Sequence, residues 1–485
     1  MYKPNFLPGR GLPLAVVTLL AGCTLLGPAY HKPDIPAPQA WSSGPAADSG
    51  PADTVANLPS SWPEQDWWRG FKSPELDELM REAEATNDDL AAAMARVQQA
   101  DAQVRISGAA LLPSLAAEAI PQRTRQFMPV NGTNGGGSTL TYTSYTAQLS
   151  ASYELDFWGK NYDLRQAAVH GARASRFDQE TVRLTVLSSL ANTYFTILTL
   201  RERIEIAQNN LAAARQTLEG LRLERTVGTA TSLDVAQQET VVNTEDASIP
   251  ALQAQLQQNI AALAVLVGRT PEQLAAPKAH LADLATPPVS AGLPSQLLVR
   301  RPDVAEAEAQ LIAANANVQA ARAAFFPTID LTASGGFEST ALSTLLLPGS
   351  RILALGANLT QPIFQGGSLL GQYELNKGRY AELLADYHKA VISAFGNVET
   401  SLTQVQESAE QQRRQQLAAQ TARQAYDFAQ TQFHAGTVNI LNVLNTETTL
   451  LTNEDTLAQV KLAHLSALVS LYQALGGGWQ AQQEP

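Results

Sequence analysis

The reactive side chains bound what this chain can do. Its six histidines are His31, His170, His280, His388, His434 and His464, and none stands in a close spacing that holds a metal. There is no glycine-rich loop ending in Lys-Ser or Lys-Thr to cradle a phosphate. There is no Gly-x-Ser-x-Gly turn to present a nucleophile. A single cysteine, Cys23, excludes an intrachain disulfide and a cysteine metal cluster. The catalytic set is empty, so the chain is expected to be no enzyme and to need no metal or other cofactor. With 33 Lys and Arg against 45 Asp and Glu the net charge is −12, which argues against a nucleic-acid partner. Charged residues are 16% of the chain, against about 25% in an ordinary globular protein. Apolar residues reach 45% with only 6% aromatic, so alanine and leucine, strong helix formers, dominate.

The first 22 residues are an address. Lys3 and Arg10 give a positive start, and Leu12 to Leu20 is an apolar stretch too short to span a bilayer. Leu20-Ala21-Gly22-Cys23 resembles a bacterial lipobox. That resemblance implies cleavage after Gly22 and a covalent diacylglycerol and N-acyl lipid, of palmitate type, on Cys23. Stable anchoring needs more than one such chain. Thr24 stands where aspartate would signal retention at the inner membrane, so sorting to the outer membrane is implied. No run of ~20 apolar residues follows.

The remaining residues form two similar halves. Residues 23–72 read as an anchored strap leading to an equatorial segment, with 24–62 rich in Pro, Ala, Ser and Gly. The first repeat is placed at 73–285. A helix should start at Ser73-Pro74-Glu75, where cap, proline and acid coincide, and run to about Gly108. A strand pair occupies about 115–157. Tyr145, Ala147, Leu149, Ala151, Tyr153, Leu155 and Phe157 alternate with polar residues, the period of a strand with one apolar face. A linker spans 286–301 and a second repeat 302–476, with a strand pair at about 328–363 and a tail at 477–485. Leu111-Leu112-Pro113-Ser114 matches Phe325-Phe326-Pro327-Thr328 at an offset of 214, while the motifs leaving the strands match at 207. The first hairpin is therefore seven residues longer, and its loop at 131–138 is expected to carry the insertion.

Long helices follow each strand pair. Neither 163–227 nor 369–435 contains a proline, and each would extend on the order of 100 Å. Both end in a glycine turn, near 228–233 and 436–441, and a second helix returns. Pro250 is expected to kink or break the first returning helix. In the last helix Val443, Leu450, Leu457 and Val460, with Leu444 and Leu451, form a coiled-coil seam. Four strands cannot close a barrel, and an open sheet edge is not tolerated in lipid. Two copies would pool eight strands and three would pool twelve. Without a membrane, the strands would instead cap a soluble helical bundle.

This plan resembles the TolC-type outer-membrane efflux channels, and most of all their NodT-type lipoprotein branch. The resemblance rests on the lipobox, Gly27-Pro28-Ala29-Tyr30-His31-Lys32-Pro33, Trp67-Trp68 with Phe71, and Tyr153 to Gly159. It rests above all on Leu297-Leu298-Val299-Arg300-Arg301-Pro302-Asp303-Val304. It implies a mainly α fold with membrane β structure: a homotrimer whose twelve-stranded barrel continues into a twelve-helix periplasmic tunnel. It implies a passive duct of a tripartite efflux system, partnered by a periplasmic adaptor and an inner-membrane pump and embedded in outer-membrane lipid. It places the adaptor contact at the tip turns Gly228, Thr229, Gly436 and Thr437. It places a periplasmic gate at Asp234, Phe433, Asn442 and Asn445, with amides at 442 and 445 where many members carry aspartate. Val438 likewise replaces a basic gate residue of some members. Tyr145, Tyr153, Phe157 and Trp158 are expected as girdle residues at the membrane edges. The alternative is a lipid-anchored periplasmic coiled-coil scaffold with no pore.

Overall fold

The computed structural model describes residues 30–36, 38, 40–42, 62–129, 137–288 and 294–480. Cys23 and the linker positions 289–293 lie outside the described residues, as does most of the 131–138 loop. Eleven elements carry the fold. They are α1 (Pro74–Thr86), α2 (Asp88–Ala109), β1 (Ser114–Pro129), β2 (Gly137–Glu154), α3 (Lys160–Thr226), α4 (Ser232–Leu266), α5 (Pro302–Ala323), β3 (Thr328–Ser339), β4 (Arg351–Thr360), α6 (Ser368–His434) and α7 (Ile440–Ala474). Both α3 and α6 have 67 residues, and both α4 and α7 have 35. The duplication is therefore exact in the helical hairpins. Among the described residues, no helix is long and apolar enough to cross a membrane.

Three expectations need correction. The helix begun by Ser73 does not run unbroken to Gly108. It stops at Thr86, and Asn87 adopts extended backbone between α1 and α2. The Asn87 side chain caps the next turn by accepting from Leu90 N (3.0 Å) and donates to Leu266 O (2.9 Å), so the break is a tertiary anchor. Pro250 does not break α4, which is continuous through it. The extra length of the first strand hairpin lies in its strands. β1 and β2 have 16 and 18 residues against 12 and 10 in β3 and β4, while the connection at 340–350 is longer than that at 130–136.

The chain divides into two compact units. One comprises residues 1–33, 98–174 and 308–386, and the other 34–97, 175–307 and 387–485. The first holds one antiparallel sheet in the order β1-β2-β3-β4. Its register aligns the apolar positions of both repeats: Leu115, Ala151, Ala333 and Leu355 form one row, and Ala117, Leu149, Gly335 and Leu353 the next. The strands end at Glu154, so Phe157 and Trp158 follow β2 rather than continue it.

The second unit is held by an aromatic core. Trp67, Trp68 and Phe71, on a short 3-10 turn, are buried with Leu76, Met80, Tyr194, Phe195 and Tyr472. Trp67 stacks on Tyr472 at 5.0 Å between centroids. Tyr194 shares a hydrogen bond with the helix-capping Ser73 hydroxyl (2.9 Å) and donates to Glu75 (3.1 Å). Arg301 grips Asp303 with two nitrogens (2.9 and 2.6 Å) and donates to Ala474 O (3.0 Å), and Arg300 lies over the Trp62 ring. The final glycines are buried and Trp479 meets the Phe177 ring, so the start of the 477–485 segment is packed rather than a free tail. Truncating a buried aromatic costs about 3–5 kcal/mol. Trp67→Ala should therefore sharply lower the thermal midpoint of the purified protein, whereas Leu223→Ala, at a side chain 69% exposed, should leave it nearly unchanged. Equal effects would remove Trp67 from the core that sets stability.

Candidate functional site

Both hairpin tips have the same backbone construction. After α3, Gly228 takes φ 81°, and the Thr229 amide reaches back to Glu224 O at 3.0 Å. After α6, Gly436 takes φ 72°, and the Thr437 amide reaches Gln432 O at 3.0 Å. This is the αL glycine cap that satisfies the last carbonyls of a helix. Each threonine hydroxyl donates to the same carbonyl at 3.0 Å, so the turn is fastened twice.

The chemistry just beyond the tips differs between repeats. Asp234 is the third residue of α4 and closes a capping box: its Oδ2 accepts from Thr231 N (2.7 Å) and Thr231 Oγ1 (2.6 Å). The equivalent residue, 208 positions on, is Asn442. Its backbone N–H donates to the Asn439 side-chain oxygen at 3.3 Å, and its side chain closes no such box. The side chains of Asn442 and Asn445 are exposed and bond no other described residue. Phe433 is half-buried against the apolar cluster joining the two hairpins, which includes Leu218, Val235, Tyr426 and Val443. The four gate candidates thus divide. Asp234 and Phe433 are engaged within the chain, and the two asparagines are free to meet something outside it.

One buried polar pair lies within that cluster. Gln238 of α4 is 0% exposed and Glu447 of α7 is 2% exposed. Gln238 Nε2 donates to Ala214 O of α3 (2.9 Å) and to Glu447 Oε2 (3.4 Å). Gln238 Oε1 and Glu447 Oε1 have no partner among the described residues. Sequence reasoning passed over both, although the signal was there. Gln238 interrupts the Val235–Val242 stripe, and Glu447 interrupts the Val443–Leu450 seam. Burial pushes the Glu447 carboxyl above its ordinary 4.5, the bond from Gln238 offsets part of this, and the charge of Glu245 adds to it. The folded protein therefore holds this proton at pH values where the unfolded chain has lost it, and stability falls as pH rises above about 4.5. Glu447→Gln removes that penalty. Its thermal midpoint should exceed that of the parent at pH 8 and converge on it at pH 4. A gain of equal size at both would mean that the carboxyl is not protonated in the fold.

The sheet supplies a second set of positions. Tyr145 and Tyr153 lie on its apolar face, eight residues apart along β2. Trp158 is fixed within the chain: its indole donates to Pro327 O (2.8 Å) and stacks on Phe326 at 4.9 Å between centroids. Phe157, at the edge of Trp158, is exposed. The opposite face carries Glu118, Gln148, Ser150, Ser334, Glu154, Asp330 and Asn358.

The sequence profile of the outer membrane efflux protein family matches residues 79–269 and 293–477. Each block contains one strand pair and one long helical hairpin. This chain belongs to the outer membrane efflux protein family. The pyoverdine export outer membrane protein OpmQ of Pseudomonas aeruginosa is 39% identical over 476 residues, covering 96% of this chain and 98% of OpmQ. The toluene efflux pump outer membrane protein TtgC of Pseudomonas putida is 34% identical over 474 residues, covering 97% and 96%. Among solved structures, the open-state outer membrane channel MtrE of Neisseria gonorrhoeae superposes with a TM-score of 0.83 at 27% identity, covering 95% of this chain and all of that one. The fold and family expected from the sequence are those found, and the chain is an outer-membrane efflux channel.

Proposed function

We propose that three copies of this chain pool their sheets into a twelve-stranded barrel and their long hairpins into a periplasmic duct. The observation that carries this reading is the open sheet. Its four strands hold their apolar positions in register, yet β1 and β4 each have one edge without a strand neighbour among the described residues. Lipid offers no hydrogen bond to such an edge, so β4 of one copy pairs with β1 of the next until the ring closes. The apolar face, with Tyr145 and Tyr153, meets lipid, and the polar face lines the water-filled lumen. Cys23 carries the lipid anchor. The tips Gly228-Thr229 and Gly436-Thr437 receive a periplasmic adaptor, and an inner-membrane pump supplies the energy. OpmQ is named for pyoverdine export and TtgC for toluene efflux. Relatives sharing one duct architecture thus pass very different cargo, so selection in this system belongs to the pump, and the duct is passive rather than enzymatic.

In the closed state the exposed amides of Asn442 and Asn445 from three copies face one another and interlock by hydrogen bonds. Planar-bilayer conductance of the lipidated protein, with its oligomer mass measured on the same sample, tests the reading. A trimer with rare, small openings is expected. Asn442→Ala with Asn445→Ala should raise the conductance several-fold, and unchanged conductance would take both out of the gate. A monomer that leaves membranes without detergent would overturn the barrel itself.

The lumenal face of the sheet carries four carboxylates, Glu118, Glu154, Asp330 and Glu338, and no basic residue. Lys160, outside the strands, pairs with Glu154. The reversal potential in a salt gradient should therefore favour cations, and Glu118→Gln with Glu338→Gln should reduce that preference. An anion preference in the parent would place the faces the other way round.

A further inference from the structure

Charge is sorted completely between the two faces of the sheet. All four strand carboxylates are on the polar face. All three strand arginines, Arg123, Arg125 and Arg351, are on the apolar face with no carboxylate beside them. Each is exposed, and none makes a side-chain hydrogen bond or ion pair with a described residue. An unpaired arginine in the hydrocarbon would cost about 2–4 kcal/mol at the bilayer midplane and little at its edge, so their height on the strands matters.

The register gives that height. The apolar rows run from Ile329 opposite Leu359 to Tyr145 opposite Ser339. Ten residues at ~3.3 Å, tilted by ~40°, make a band roughly 25 Å tall, the height of an outer-membrane barrel's apolar belt. Arg123 and Arg125 stand two and four residues beyond Pro121, the partner of Tyr145, opposite Thr143 and Thr141. They lie just past the belt at the end leading to the 130–136 connection, away from α2 and α3. Arg351 is the first residue of β4, opposite Phe337, one row inside the Tyr145 row, where its long stem can carry the guanidinium outward. Same-face residues on a strand are ~7 Å apart, so Arg123 and Arg125 present two adjacent guanidiniums, each able to take a phosphate bidentately.

We infer that Arg123 and Arg125, assisted by Arg351, form a binding surface for the phosphorylated disaccharide headgroup of the outer-leaflet glycolipid, lipid A. The inference rests on the barrel reading above, which sets this end of β1 at the cell exterior. The occupant follows from two observations. The surface continues the lipid-facing belt, and it is cationic without an internal counter-charge. A phosphate on a lipid satisfies both conditions, with its acyl chains on the belt and its charge on the arginines.

The test uses the full-length, lipidated protein in detergent and counts retained lipid by native mass spectrometry. The probes are lipid A, dephosphorylated lipid A and phosphatidylglycerol. Lipid A should bind the parent best. Arg123→Gln with Arg125→Gln should weaken it roughly thirty-fold, the worth of two guanidiniums at an anionic surface. Arg123→Lys with Arg125→Lys should retain most of the binding. Undiminished binding by the glutamine variant would overturn the proposal, as would equal binding of dephosphorylated lipid A or of phosphatidylglycerol. Displacement by millimolar inorganic phosphate would reduce the surface to a simple anion site and overturn it too. Bilayer conductance separates failures: a variant that conducts like the parent has folded, so lost binding in it is specific. A parent that forms no membrane channel would sink the barrel reading instead.

Discussion

A β-strand in hydrocarbon must hydrogen-bond on both edges, because lipid supplies neither donor nor acceptor. Most of this structure depends on how one chain meets that demand with only four strands. The sheet is long enough and apolar enough on one face to cross a membrane, but among the described residues its outer edges have no strand neighbour. Completion therefore has to come from further copies of the chain. The internal duplication makes this natural. The strand pairs of the two repeats already meet across β2 and β3, and the same contact type, repeated between copies, continues the ring. Helices inherit the arrangement. Each strand pair leads into a 67-residue helix followed by one of 35, and equal lengths bring both hairpins to their turns together.

What was legible in the sequence is what has a period or a cap. The alternation from Tyr145 to Tyr153 and its partners produced a sheet with its apolar positions on one face. The Ser73 cap and the two glycine turns are where their residue types required them. What failed was decided by tertiary contacts. The end of α1 carries no proline or glycine. Its marker was Asn87 before two aspartates, a cap pattern hidden inside an otherwise continuous helical stretch. Of the kink or break expected at Pro250, the break is absent, since α4 runs through it. The longer hairpin was assigned its extra residues in the loop because loops usually accept insertions. Here the strands took them, since Gln122 to Pro129 finds partners all along Gly137 to Ser144.

The side chains beyond the hairpin tips were the least legible part. Spacing and resemblance singled out positions beside the two glycine turns but could not tell an engaged side chain from a free one. Asp234 and Asn442 are equivalent by position and different in use. The carboxylate is consumed by its own helix start, and the amide is exposed. Glu239 and Glu447 are equivalent as well. The first meets Arg222 at the surface, at 2.9 Å, and the second is buried with Gln238 for company. A duplicated backbone has thus been kept, while the two copies of each position have taken different electrostatic tasks.

The unequal strand pairs leave part of one hairpin standing alone. β2 extends eight residues beyond its last partner in β3, a two-stranded ribbon of roughly 27 Å that no third strand flanks among the described residues. In a closed ring of such sheets, tall and short hairpins would alternate, and the rim would be crenellated rather than level. Whatever approaches such a rim would meet these merlons first.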